Sequence, residues 1–399
     1  MRILQVLTLV SANGAYGGPV AVAVGQTQAL AELGHDVTLL AGWDGVAKLS
    51  IPKVDVQLLR ARQAVPGAGF AGLCSPGLWM EARRRATEAD VVHVHLGRDM
   101  VSLPAALVAA SCGRPLVVQT HGMVRVDHRL KAKVVDALLT RRALQHTAAQ
   151  LVLTDEEEAD AQVVAGRPLN TARVANGVVI PSLSAEWDGT TEPEVVYCAR
   201  LHHRKRPIAF VEMAAAFLDA GGVARFTVYG PDEGELSGVV RAIAAHGLGS
   251  KVKYLGALAP ADVLPRLSQA QAYVLPSVNE PFPMSLLEAM SLALPSVITD
   301  STGVSAAFAT SGAAEVTDGT PTSMAQALSE VLASASAWQT RSSRARQEIA
   351  EHYRADSVAR HLEDLYNTAI KERDPSSHHR RSMHSPIGDT VRRSDGPKR

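Results

Sequence analysis

Two glutamates, Glu280 and Glu288, stand in the segment Pro276-Ser277-Val278-Asn279-Glu280-Pro281-Phe282-Pro283-Met284-Ser285-Leu286-Leu287-Glu288-Ala289-Met290. The apolar run Ala272–Leu275 before it reads as a strand, and the stretch after Pro283 reads as a helix. Glu280 then falls just before the helix and Glu288 two turns inside it. Carboxylates accept hydrogen bonds from sugar hydroxyls, often in pairs. The helix start between them supplies N–H donors and a positive dipole end suited to phosphate. The order carboxylate, helix end, carboxylate would match sugar, diphosphate and ribose. At bare spacing the pair describes no more than one Glu complementing a helix dipole and one exposed helical Glu. The surrounding residues change that.

A second cluster follows the strand-like run Val195–Tyr197. Cys198-Ala199-Arg200-Leu201-His202-His203-Arg204-Lys205-Arg206-Pro207 is rich in cations. At a strand end, the Arg and Lys side chains of this segment could clamp a diphosphate and stabilise it as a leaving group; a solvated basic loop is the alternative. After the first strand, Asn13-Gly14-Ala15-Tyr16-Gly17-Gly18-Pro19 leads into a helix. Its glycines would let backbone approach a phosphate at the helix start, or would serve a plain tight turn. The loop is neither GxGxxG nor a Walker sequence. His93 and His95 end another strand near Arg98 and Asp99, a pattern that suits packing or acceptor contact better than metal binding.

These clusters must be positioned by alternating strands and helices. Ile3–Val10 reads as a strand, Pro19–Leu33 as a helix closed by Gly34, and Asp36–Leu40 as a strand. Val91–His95, Leu116–Gln119 and Leu151–Thr154 continue the strands, with helices over Leu103–Ser111 and Lys131–Ala148. The turn signal Asn176-Gly177 and the polar stretch Ser182–Pro193 mark a boundary. The alternation then restarts and runs through Arg225–Tyr229, Val252–Leu255, Ala272–Leu275 and Ser296–Thr299. This pattern argues two doubly wound α/β halves built on parallel sheets. Val358, Leu362, Leu365, Tyr366 and Ala369 predict one closing helix over 341–371.

Composition agrees with such layers. The 399 residues suit two domains, 46% are hydrophobic and only 4% aromatic, so the cores are of Ala, Val and Leu. The net charge of +0 offers no general attraction to nucleic acid. Residues 373–399 carry seven Lys/Arg and three Asp, a net of +4, which leaves about −4 on the rest. That tail has little to bury and is expected to be disordered. Cys74, Cys112 and Cys198 are too scattered for a disulfide framework or structural zinc. No run of about 18 apolar residues appears, so no membrane span is expected. The stretch Arg129–Gln145 mixes Arg129, Lys131, Lys133, Arg141 and Arg142 with Val134, Val135, Leu138 and Leu139. It reads either as an ordinary surface helix or as one resting on an anionic membrane.

The sequence resembles retaining glycosyltransferase family 4 (glycosyltransferases group 1), of GT-B fold. The resemblance rests on Pro276-Ser277, Glu280, Phe282 and Glu288-Ala289-Met290, an E-x7-E motif. Gly17-Gly18, His121-Gly122, Asn176-Gly177-Val178 and Ala199-Arg200-Leu201 with Lys205 follow the family order, over about residues 1–370. It implies two Rossmann-like domains facing across a cleft: an acceptor domain over 1–182, a donor domain over 193–345, and a closing helix over 346–372 packing back on the first. It implies that Glu280 binds donor-sugar hydroxyls, that Glu288 holds the ribose, and that Arg200 and Lys205 neutralise the diphosphate. The amides of Gly17, Gly18, Met284 and Ser285 add donors, Phe282 lines the donor site, and His121 contacts the donor sugar. On the acceptor side His95 and Arg98 are candidates. The donor would be a UDP- or GDP-sugar, with no metal and no cofactor. The acceptor would be a glycan or lipid-linked, with a small soluble acceptor or a non-catalytic binding protein as rivals. The setting would be cytoplasmic, with peripheral contact at the inner membrane face through 129–145. The sequence departs from the family at Pro283 and Arg206, where glycine is usual, and in having only Gly303 in the loop after Ser296–Thr299.

Overall fold

The structure, a computed structural model, describes residues 1–11, 17–65 and 69–373. The loop residues Asn13–Tyr16 and the tail after Arg373 lie outside the described residues. Two parallel sheets dominate. The first holds β1 (Arg2–Val10), β2 (Asp36–Trp43), β3 (Val54–Arg60), β4 (Val91–His95), β5 (Leu116–Gln119), β6 (Ala149–Val152) and β7 (Thr171–Arg173). Their spatial order is β3-β2-β1-β4-β5-β6-β7. The second holds β8 (Glu194–Cys198), β9 (Arg225–Tyr229), β10 (Val252–Tyr254), β11 (Ala272–Leu275), β12 (Ser296–Thr299) and β13 (Glu315–Thr317), in the order β10-β9-β8-β11-β12-β13. Both orders reverse once, between β1 and β4 and between β8 and β11. Ligands in open parallel sheets bind at such reversals, beyond the strands' carboxyl ends.

Strands buried on both faces need continuous apolar runs, because helices cover each side. The sequence of β11, Ala-Tyr-Val-Leu, is buried throughout, as are β5 and β6. β3, β7 and β13 are edge strands with weaker patterns and are invisible to periodicity alone. Helices over Pro76–Glu88 and Asp155–Ala165 were likewise not anticipated from the sequence.

The helix expected over 341–371 is two helices, Ala335–His352 and Ala355–Arg373. Trp338, Ala345 and Ile349 of the first join the second half's core. Val358, Leu362, Tyr366 and Ala369 of the second join Ile3, Leu30 and Val91 of the first half. The two faces belong to different cores, so the chain must break between them. It does so at Tyr353–Arg354, where it meets the other crossing: Val178 N donates to Tyr353 O at 2.8 Å, and Ala355 N donates to Val178 O at 3.0 Å. The two linkers thus run side by side. The helix expected over Lys131–Ala148 is also divided, with a π-helical turn at Asp136–Thr140 between Leu130–Val135 and Arg141–Gln145.

Candidate functional site

The reversal of the second sheet brings the ends of β8 and β11 together, and with them the two charged segments. Lys205 Nζ lies 2.8 Å from Glu280 Oε2, and Arg204 reaches the same oxygen at 3.5 Å. The Arg204 carbonyl accepts from Val278 N at 2.8 Å, tying the two loops by backbone as well. Lys205 and Glu280 are largely buried, and burial lowers the ammonium pKa against the opposing pull of Glu280. Arg200 points to Glu233 in the loop after β9, whose two carboxylate oxygens each lie 2.9 Å from its Nη1.

Arg206 occupies the left-handed region at φ 50°, where glycine is favoured, and then caps the helix Pro207–Asp219. Pro283 sits just before the helix Met284–Ser291, and its carbonyl accepts from Leu286 N and Leu287 N. The proline there sacrifices no helical hydrogen bond. Glu288, one face of that helix, is pushed up to about 7 by burial. Its carboxyl also helps raise the Cys198 thiol to about 12, after burial itself. Ser285 Oγ accepts from the Tyr273 hydroxyl at 2.8 Å.

Between the halves lies a cleft of about 1130 Å³. Gly18, His121 and Arg98 line it from the first half, and Arg200, Glu280 and Phe282 from the second. Met284 is on its wall as well; Lys205, Ser285 and Glu288 are not, and Lys205 lies behind Glu280. Gly17 begins the helix Gly17–Glu32 beside the cleft. The halves touch at Pro281. A Cβ on Gly122 would lie 2.9 Å from Pro281 Cγ, and one on Gly303 would lie 2.9 Å from Thr154 Cγ2. The single glycine of its loop, Gly303, donates its N–H to Glu280 O at 2.8 Å, so it secures the Glu280 backbone.

His121 follows β5 in the left-handed region at φ 52°. Its turn is held from beneath by Glu157, whose carboxylate accepts from Gly122 N at 2.6 Å, Thr120 Oγ1 at 2.5 Å and Leu153 N at 2.8 Å. Sequence reading passed over Glu157, although Thr154-x-x-Glu157 is a capping-box signature, and Thr154 does cap that helix. It also passed over Glu233.

Of the two acceptor-side expectations, the one for His95 needs correction. His95 is buried behind His121 and does not line the main cleft, since β4 is a central strand covered on both faces. Arg98 does line the cleft, but its guanidinium is committed: it pairs with Asp136 at 2.8 Å and donates to the carbonyls of Met123 and Arg125. It clasps the loop after His121 to the π-helical turn and is a structural clamp for that wall. Among the described residues no group of three or more His, Cys, Asp or Glu is placed to hold a metal ion.

The two halves match two families of known proteins. Residues 17–177 match the glycosyl transferase 4-like domain, and residues 184–372 match glycosyl transferases group 1. The chain is 29% identical over 221 residues to the GDP-mannose:cellobiosyl-diphosphopolyprenol alpha-mannosyltransferase of Xanthomonas campestris, covering 53% of this chain and 56% of that protein. It is 26% identical over 260 residues to the alpha-D-kanosaminyltransferase of Streptomyces kanamyceticus, covering 59% and 67%. The chain thus spans little more than half the length of the Xanthomonas relative. Among solved structures it resembles Anabaena HepE in complex with UDP, with a TM-score of 0.69 and 16% identity over 92% of this chain and 100% of that one. Two parallel-sheet domains and a cleft where both sheets reverse give this chain the GT-B fold, and each half matches a glycosyl transferase family of its own.

Proposed function

We propose that the protein is a retaining, metal-independent family 4 glycosyltransferase. It takes a hexosyl group from a UDP- or GDP-sugar and moves it to a glycan or lipid-linked acceptor in cell-surface polysaccharide or glycoconjugate assembly. The observation that carries this reading is the meeting of Arg204 and Lys205 with Glu280 at the reversal of the second sheet, with Arg200 on the same wall of the cleft and His121 on the opposite one. The bond between the anomeric carbon and the diphosphate oxygen breaks, and its electrons stay on the diphosphate. Arg200 and Lys205 stabilise that charge. The acceptor oxygen bonds to the carbon on the same face, and its proton goes to the departing diphosphate. Glu280 orients the sugar hydroxyls and Glu288 the ribose. The domain division expected from the sequence fits this reading, with the second half holding the donor.

A lipid-linked acceptor is favoured by the surface beside the cleft. Leu130, Val134 and Leu138 are exposed on the same segment as Arg129, Lys131 and Lys133, and Leu130 also lines the cleft. Apolar side chains ringed by cations suit an anionic bilayer surface at the inner membrane face. No helix among the described residues is long and apolar enough to cross a membrane. The Xanthomonas relative's diphosphopolyprenol substrate is consistent with such an acceptor. A calorimetric screen of UDP, GDP and ADP and their sugars tests the donor. Transfer to a polyprenyl-diphosphate sugar, with the new anomer read by NMR, tests the chemistry. Absence of binding to every nucleotide would refute the reading; an inverted product would refute retention. Co-sedimentation with vesicles containing anionic lipid, lost in Leu130→Glu, tests the surface.

A further inference from the structure

Behind the cleft wall runs a chain of buried side chains that the proposed transfer does not use. His121 Nε2 lies 2.8 Å from His95 Nδ1, and His95 Nε2 lies 3.1 Å from the side-chain amide of Gln5. The same amide atom of Gln5 lies 2.9 Å from Thr27 Oγ1, and that hydroxyl lies 2.6 Å from Ala23 O. The other amide atom is buried without a well-aligned partner, yet it acts on the Tyr366 hydroxyl. Tyr366 in turn lies 2.7 Å from His93 Nδ1.

Each proton in this chain can be used once, and two arrangements are possible. Suppose the amide oxygen of Gln5 faces Thr27 and His95. Thr27 then has one proton for two acceptors. Gln5 can give one amide proton to the Tyr366 oxygen but keeps its second buried N–H without an acceptor, and the Tyr366 hydroxyl gives its proton to His93 Nδ1, so His93 Nε2 is left as a buried N–H with no partner. Now turn the amide over, which alters no heavy-atom position beyond exchanging N and O. Thr27 donates to Ala23 O, and the Gln5 amide donates to Thr27 Oγ1 and to His95 Nε2. Its oxygen faces the Tyr366 hydroxyl, and His93 Nδ1–H donates to the tyrosine oxygen. His95 Nδ1–H then donates to His121 Nε2. The one buried donor without a partner is His121 Nδ1–H, on a ring that lines the cleft. Orphaned buried N–H groups are rarer and costlier than orphaned acceptors, so the second arrangement wins.

We infer that Gln5 and His95 are positioning residues that hold His121 in the tautomer protonated on Nδ1, so that His121 presents a neutral N–H donor to an oxygen of the bound sugar or phosphate. With Nε2 occupied by His95, His121 is not a general base. Burial keeps it neutral, holding its pKa at about 3. The assignment of that oxygen to a nucleotide-sugar rests on the proposed function; the tautomer does not.

Long-range ¹H–¹⁵N NMR of histidine-labelled protein, with His121→Asn used to assign the signal, reads the tautomer directly. The Nδ1–H pattern is expected for His121 in the wild type. In Gln5→Glu the ionised carboxylate can only accept, so the chain reverses and His121 should show the Nε2–H pattern. Gln5→Met should give a mixture, with kcat reduced about tenfold and nucleotide affinity unchanged. An Nε2–H pattern in the wild type overturns the inference whether or not either variant folds, as does an unchanged tautomer in folded Gln5→Glu. An Nδ1–H tautomer in a protein that binds no nucleotide would instead refute the glycosyltransferase reading and leave the relay standing.

Discussion

Replacing Glu288 with glutamine isolates the electrostatic cost of burying this carboxyl beside the proposed nucleotide site. Burial holds this carboxyl at about 7 instead of its usual 4.5. Below pH 4.5 it is protonated in both folded and unfolded chains and exacts no penalty. As pH rises from 4.5 to about 7 the unfolded chain loses the proton first, and folded stability falls; above about 7 the loss is complete. The full difference is at most about 3 kcal/mol. Glutamine has the same shape and no charge to desolvate. In urea titrations the variant should therefore match wild type near pH 4 and exceed it by up to about 3 kcal/mol at pH 8. Ligand binding should show the opposite preference. Ribose hydroxyls donate to a carboxylate, so the nucleotide favours the ionised form and its binding expels a proton below pH 7. Wild-type affinity should fall by up to about tenfold per pH unit below 7, and calorimetry in two buffers of different ionisation enthalpy should detect the released proton. Glu288→Gln should bind more weakly at pH 8 and lose that pH dependence. A variant less stable than wild type at pH 8, or wild-type affinity flat from pH 5.5 to 8, would refute the assignment of Glu288 as a strained ribose ligand.

Three further outcomes follow from the geometry. Lys205→Ala removes the ammonium beside Glu280 and a leaving-group cation together, and turnover should fall by about 10²–10³; steady-state kinetics giving wild-type kcat would exclude Lys205 from the donor site. Gly122→Ala combines a left-handed residue with a Cβ 2.9 Å from Pro281. It should lower thermal stability by about 1–2 kcal/mol and expand the molecule in small-angle scattering as the halves part, and an unchanged radius would show that the contact does not hold them. Arg206→Gly relieves a left-handed arginine at φ 50° and should raise stability by up to about 1 kcal/mol in urea titrations; a loss of stability would show that the arginine's reach toward Gly319 outweighs the backbone strain.

Periodicity was sufficient for the central strands, because β1, β4, β5, β8 and β11 are covered on both faces and are mostly apolar, with Gln5, His93, His95 and Gln119 among the buried polar exceptions. It failed for β3, β7 and β13, which lie at or near sheet edges and carry mixed patterns. It also merged Ala335–His352 with Ala355–Arg373, because a run of helix-forming residues does not reveal which core each turn packs against. The chemistry followed the same division. The places of Glu280, Glu288, Arg200 and Lys205 in the fold were legible because they sit directly after strands or on the first helical turns, where local sequence sets position. Their pairing was not legible: that Lys205 faces Glu280 and Arg200 faces Glu233 depends on adjacent strands 75 and 33 residues away in sequence. His95 was misplaced for the same reason, since a strand-end residue looks alike whether its side chain meets the cleft or the layer beneath. The sequence by itself determined the alternation of strands and helices, the two halves, and the segments that carry charge. Only the tertiary structure decided which side chains meet, because sheet order and the burial of each face arise from packing between elements distant along the chain.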